Sequence, residues 1–210
     1  MKLQGISDKG MKRVAQFTSP DEGAFRLEEL GDKERERALQ QYIQYLPEDW
    51  SEYTIEDAKE YAPPYFEVND VIFSGFASQG DGASWNGTVD FLKWCEVQGN
   101  EVCADLIRKG YTGEGGEIAL NPGNHYMHSG GMTLDEDVSS DYIYDSEEEI
   151  PGAEEAIQEM HDEVLAEARE YADKIYRDLE ETYEAETSLE AFEDMAAGND
   201  WLFDADGNLA

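Results

Sequence analysis

Positive charge is what this chain has least of. It carries 15 Lys plus Arg against 50 Asp plus Glu in 210 residues, a formal net charge of −35. A surface so poor in cations repels phosphate backbones and anionic headgroups, so neither direct nucleic-acid binding nor membrane binding is expected. Cysteine is scarce too. Cys95 and Cys103 are the only two, too few for a disulfide framework or a closed zinc site, and buried reduced thiols are the simplest expectation. No apolar run approaches the roughly 20 residues that span a bilayer. The start, MKLQGISDKGMKRV, lacks the apolar stretch of a signal peptide. A soluble, intracellular protein is expected. Nucleophile and phosphate motifs are missing as well: there is no G-x-S-x-G, no P-loop and no H-E-x-x-H. Carboxylates are so abundant that no pair of them singles itself out as catalytic.

What is there is an uneven distribution of acid. Residues 1–50 carry ten acids and eight bases, whereas residues 51–210 carry 40 acids and seven bases. This is not the composition of a disordered acidic tail, because 12 Tyr, 8 Phe and 4 Trp are interleaved with the acids. The length allows one core plus an appendage. Three regions are predicted: a lead-in over 1–22 with weak apolar periodicity, an α+β domain over 23–150, and an acidic helical region over 151–210.

In the first half, Leu39, Tyr42, Ile43 and Leu46 fall at i, i+3, i+4 and i+7, predicting a helix capped by Asp32 and stopped by Pro47. Thr54 with Asp57 reads as a capping box for a short helix over 55–62, closed by Pro63 and Pro64. The run Val68, Val71, Ile72, Phe73, Phe76 reads as a strand, and Ser84–Val89 as its neighbour across a Gly-rich connection. Residues 91–95 and 102–107 read as helix turns, while 118–120, 125–134 and 142–144 read as further strands. Connections this short require an antiparallel sheet. From Ala153 to Tyr183, the residues Ile157, Val164, Ala168, Ile175 and Leu179 form one stripe of a long helix. Thr187 with Glu190 predicts the cap of a last short helix.

The residues Ile72-Phe73-Ser74-Gly75-Phe76-Ala77-Ser78-Gln79-Gly80-Asp81-Gly82-Ala83-Ser84-Trp85-Asn86-Gly87, with the aromatic ending Asn199-Asp200-Trp201-Leu202-Phe203, resemble a group of tailed-bacteriophage proteins carrying an SGFxSQGDGAxFxG signature. The likeness is close over 27–90 and loose over 125–134 and 190–209. Trp85 stands where the group usually has Phe, a change expected to preserve packing. The resemblance implies a phage origin and a place in the cytoplasm of an infected bacterial cell. It transfers no catalytic residue, since the group has none assigned.

Three places could carry chemistry. A loop with Gly80 and Gly82 around Asp81 can turn backbone N–H groups outward to cradle a phosphate, and Asp81 can ligate a metal, although the local field is strongly negative for an anion. The competing reading is a tight turn that Gln79 and Asp81 hydrogen-bond themselves. His125 and His128 form H-x-x-H, but on a strand positions three apart face opposite ways, which disfavours shared metal ligation. Asp204, Asp206 and Asn208 begin like a calcium loop, yet Leu209 sits at the sharp-turn glycine position. No cofactor is expected.

The long helix offers a different function. Glu155, Glu159, Asp162, Glu163, Glu170, Asp173, Asp178 and Glu181 cover its polar side, and residues 151–200 hold 17 acids against three bases. Acids at i, i+3 or i+4 are spaced roughly 5–6 Å apart, comparable with successive phosphates. Like charges so placed cost a few tenths of a kcal/mol per pair, which a purely solvated face has no need to bear. The expectation is therefore a non-enzymatic phage protein that binds a basic, nucleic-acid-handling host protein by charge mimicry, as an inhibitor of defence, repair or transcription. The alternatives are a small-molecule or metal site, conceivably catalytic, in the Ser74–Gly87 loop, and an antitoxin-like neutraliser of a basic toxin.

Overall fold

The computed structural model describes residues 23–47, 49–121, 126–136 and 150–210. They form an α+β protein with six α-helices and one four-stranded antiparallel sheet among the described residues. Strands β1 (Phe66–Phe73), β2 (Ala83–Asp90), β3 (Gly115–Leu120) and β4 (Met132–Glu136) lie in the order β1-β2-β3-β4. The helices are α1 (Asp32–Gln44), α2 (Glu52–Glu60), α3 (Phe91–Gln98), α4 (Glu101–Arg108), α5 (Ala153–Glu186) and α6 (Leu189–Gly198). The chain makes two compact units, one of Tyr53–Glu180 and one of the described residues up to Glu52 with Glu181–Ala210. The expected lead-in at 1–22 and the expected strand at 142–144 lie outside the described residues.

In the sheet unit, Val68 and Val71 are both buried although three residues apart. A strict alternation would put them on opposite faces, and the ladder resolves this with a register shift between Val68 and Asp70, so that Val68 opposes Gly87 and Val71 opposes Trp85. Phe66, Val71, Trp85, Val89 and Ile118 thereby share the buried face. Helix α5 lies against it with Met160, Val164, Ala168, Ile175 and Leu179 buried. The Trp85 indole N–H donates to the Ala168 carbonyl at 3.0 Å, and the Tyr171 hydroxyl donates to the Ala58 carbonyl of α2 at 2.5 Å. Asp90 and Asn100 cap α3 and α4 by accepting from the N–H groups of Lys93 and Cys103, and Gly99 joins the two helices in the left-handed conformation (φ 70°). Cys95 and Cys103 are free and buried. Their sulfurs rest on α5, at 3.6 Å from the Met160 sulfur and 3.4 Å from the Ala156 carbonyl oxygen. Burial pushes the Cys95 thiol up to about 12 and raises that of Cys103.

The second unit has its own core of Leu27, Leu30, Ala38, Phe192, Ala196 and Phe203, with Tyr42 and Trp201 packed on it. The Tyr42 and Phe192 rings are 5.1 Å apart, and Phe203 bridges both Phe25 and Leu209.

Several local expectations need correction. Gly31 is the N-cap of α1 and Asp32 its first residue, without a side-chain cap. Thr54 lies inside α2, which starts at Glu52. Ser188, accepting from Ala191 N–H, caps α6, while the Thr187 hydroxyl donates back to Tyr183 O. The strand expected over 125–134 begins only at Met132, after a 3₁₀ turn at Ser129–Gly131.

Candidate functional site

The Ser74–Gly82 connection between β1 and β2 closes on itself. The Asp81 carboxylate accepts from the N–H groups of Ala77 (2.9 Å) and Ser78 (2.6 Å), and Ser74 exchanges bonds with Gly82 through its N–H and its hydroxyl. The two backbone donations hold the Asp81 carboxyl below its usual range. The backbone donors a phosphate would need at Ala77 and Ser78 are thus already committed. Gln79 is exposed. The glycines serve close approach: a Cβ at Gly80 would run into the Tyr126 ring, and one at Gly82 into the Cβ and the main chain of His128. Those two rings stack at 5.8 Å, with 14° between their planes. On the other side, the Tyr176 hydroxyl of α5 donates to Gly75 O at 3.0 Å, and its ring meets Phe76 at 5.3 Å. The loop is therefore a packed junction between the sheet, the 126–131 segment and α5.

His125 lies outside the described residues, and His128 is occupied in the Tyr126 stack. The Asp204 carboxylate accepts from the N–H groups of Asp206 and Asn208 and from the Asn208 amide, which together lower its pKa. It is a self-hydrogen-bonded turn. Among the described residues, no group of three or more His, Cys, Asp or Glu is placed to hold a metal ion. A cavity of about 350 Å³ opens beside α4, where Lys109 pairs with Asp105 at 2.6 Å.

The acidic residues of α5 are brought together. At about 100° per residue, Glu155, Glu159, Asp162, Glu163, Glu170 and Asp173 fall within an arc of about 100°, opposite the buried stripe. All six are exposed. From the first to the last, the ridge runs about 27 Å along the helix. Asp162 accepts from Gln158 and Asp173 from Ser129, but no ion pair among the described residues engages Glu155, Glu159, Glu163 or Glu170. Asp178 is different: it is half-buried at the flank and takes Lys174 as its partner at 2.6 Å. Arg177 is an exposed cation one turn beyond Asp173. Glu181 is exposed and belongs to the second unit.

A second acidic row went unrecognised in the sequence. Glu67, Thr88, Glu117 and Asp135 are successive cross-strand neighbours on the face of the sheet turned away from Trp85, and all four are exposed. Glu117 and Asp135 stand directly opposite each other, a like-charge pairing that costs stability. Glu67, Glu117 and Asp135 sit on three different strands, and no single strand carries an acidic alternation. They could be read only once the pairing of the strands was known.

A family model described as "Domain of unknown function (DUF8835)" matches residues 50–189, which spans the sheet and the acidic ridge. No curated protein and no solved structure matches the chain. No helix among the described residues is long and apolar enough to cross a membrane.

Proposed function

The chain belongs to the DUF8835 family, and we propose that it is a non-enzymatic binding protein that docks on a basic, nucleic-acid-handling protein by presenting carboxylates where that partner holds phosphates. The observation that carries this reading is the α5 ridge, whose acids Glu155, Glu159, Glu163 and Glu170 are exposed and lack ion-pair partners among the described residues. Other carboxylates of the sheet unit are put to structural use, as Asp81 is in its turn and as Glu167 is in accepting from Tyr65 and Gln98. The row Glu67, Glu117 and Asp135 extends the negative field to the sheet's other face, which suits a partner that surrounds its ligand. The partner we favour is a host protein met in an infected bacterial cell, a setting that follows from the SGFxSQGDGAxFxG resemblance. A basic toxin would satisfy the same electrostatics.

The loop alternative has less in its favour, because Asp81 already accepts from Ala77 and Ser78 within its own turn and the glycines are covered by Tyr126 and His128. The deciding experiment is low-salt capture of bacterial nucleic-acid-binding proteins on the wild-type chain and on a variant with Glu155, Glu159, Glu163 and Glu170 changed to Lys. A mimic binds partners that duplex DNA competes away, and with about six contacts it loses affinity on the order of 10³-fold between 50 and 200 mM salt. Undiminished binding by the reversed variant, with its fold intact, would remove the basis of the proposal.

A further inference from the structure

Helix α2 holds two phenol rings out in water. Tyr53 and Tyr61 are each 71% exposed, while on the helix's inner side Ala58 is buried and its carbonyl accepts the Tyr171 hydroxyl. The Tyr61 N–H donates to Asp57 O at 2.8 Å, so helical geometry continues through Tyr61. Tyr53, Asp57 and Tyr61 then recur at i, i+4 and i+8. At about 100° and 1.5 Å per residue, Tyr53, Glu56, Asp57, Glu60 and Tyr61 share an arc of about 140°, with the two tyrosines about 12 Å apart along the axis. All five are exposed, and Lys59 projects outside that arc.

Tyrosine is a weaker helix former than Ala, Glu or Lys, and here it covers no core. Exposed Tyr is, however, a residue enriched where proteins meet, because one ring offers apolar area, a π face and a hydroxyl. We propose that this face of α2 docks an arginine-bearing segment of a basic protein, with guanidinium groups on the faces of Tyr53 and Tyr61 and Glu56, Asp57 and Glu60 as their carboxylate partners. Charge complementarity selects the occupant. An acidic segment would be repelled, and an apolar one would strip water from three carboxylates without replacing it. Arginine fits better than lysine, being planar, weakly hydrated and able to stack on a ring while pairing with a carboxylate. The inference rests on the reading that the partner is basic, and it adds a second contact surface and a side-chain preference.

The test uses the full chain with fluorescent nona-arginine and nona-lysine peptides at low salt. The wild type should bind nona-arginine more tightly. Changing Tyr53 and Tyr61 together to Ala should weaken nona-arginine about fivefold to thirtyfold, from roughly 0.5–1 kcal/mol per ring, with little effect on nona-lysine. Changing both to Phe should preserve the preference, because the ring is kept. Each single Tyr→Ala variant should show part of the loss, and these keep the result readable if the double variant is unstable. An arginine preference that survives the double Ala change overturns the α2 proposal while leaving the charge reading intact. Failure of both peptides to bind overturns both.

Discussion

The indole N–H of Trp85 donates to the main-chain carbonyl of Ala168 at 3.0 Å, with both residues wholly buried. This one bond ties β2 to the middle of α5, and through it fixes which residues of that helix turn outward. A phenylalanine in its place would fill much of the volume but has no donor. Trp85→Phe should therefore lower stability by about 1–2 kcal/mol, the sum of a lost buried hydrogen bond and a small cavity. Chemical denaturation of the two proteins measures the difference. An unchanged midpoint would mean that the bond contributes nothing to holding α5 in place.

How far the chain could be read in advance divides along a physical line. The α+β class, the antiparallel sheet and the long amphipathic helix follow from periodicities carried within each segment, such as Val164, Ala168, Ile175 and Leu179 on one stripe. The caps lie one residue away from Asp32 and Thr187, and α2 starts two residues before Thr54, because neighbouring residues compete for the same role and only backbone geometry decides among them. The roles of Gly80 and Gly82 depend on Tyr126 and His128, far away in the sequence, so no local pattern could distinguish a packed junction from a phosphate cradle. The row Glu67, Glu117, Asp135 was hidden for the same reason: register is a property of paired strands.

That junction makes its own prediction. A Cβ at Gly87 would strike the Glu67 carbonyl of the neighbouring strand, and one at Gly82 would come within 2.8 Å of His128 Cα, both unyielding backbone. Gly87→Ala and Gly82→Ala should each cost about 1–3 kcal/mol. Gly80→Ala should cost less, since it meets only the Tyr126 ring, which is 52% exposed and can swing aside. Melting temperatures of the three variants test the order, and a Gly80→Ala protein less stable than Gly87→Ala would contradict it.

Asp81 supplies a pH signature. Its carboxyl is depressed below the ordinary 3.8 by donation from Ser78 and Ala77, so the folded chain binds this proton less readily than the unfolded one. The resulting stabilisation is present above about pH 4 and disappears as pH falls through the folded-state value. Asp81→Asn removes the charge while keeping an acceptor oxygen. The stability gap between wild type and Asp81→Asn should stay constant from about pH 7 to 5 and close below about 4. A gap that persists to lower pH would show that the carboxylate's charge is not what holds the turn.

Salt should stabilise this protein. With a formal net charge of −35, the folded chain gathers carboxylates closer together than the unfolded one does. On α5 they stand at helical spacing, with no ion pair among the described residues at Glu155, Glu159, Glu163 or Glu170, and on the sheet Glu117 directly opposes Asp135. At 0.01 M ionic strength the screening length is about 30 Å, longer than the acidic ridge, so every pair along it repels. At 1 M it is about 3 Å, shorter than the roughly 5–6 Å between adjacent acids, so even neighbouring pairs are largely screened. The melting temperature should therefore rise steadily with sodium chloride and level off once neighbouring pairs are screened. Exchanging Glu159 and Glu163 for Gln should raise the melting temperature at low salt and flatten the dependence, because part of the repulsion is then already gone. Opposite signs are expected for binding, where salt and the same two exchanges weaken the attachment of a basic partner. A chain whose stability and binding moved together under these treatments would have its carboxylates serving the fold, and the ridge would have no claim to be an interface.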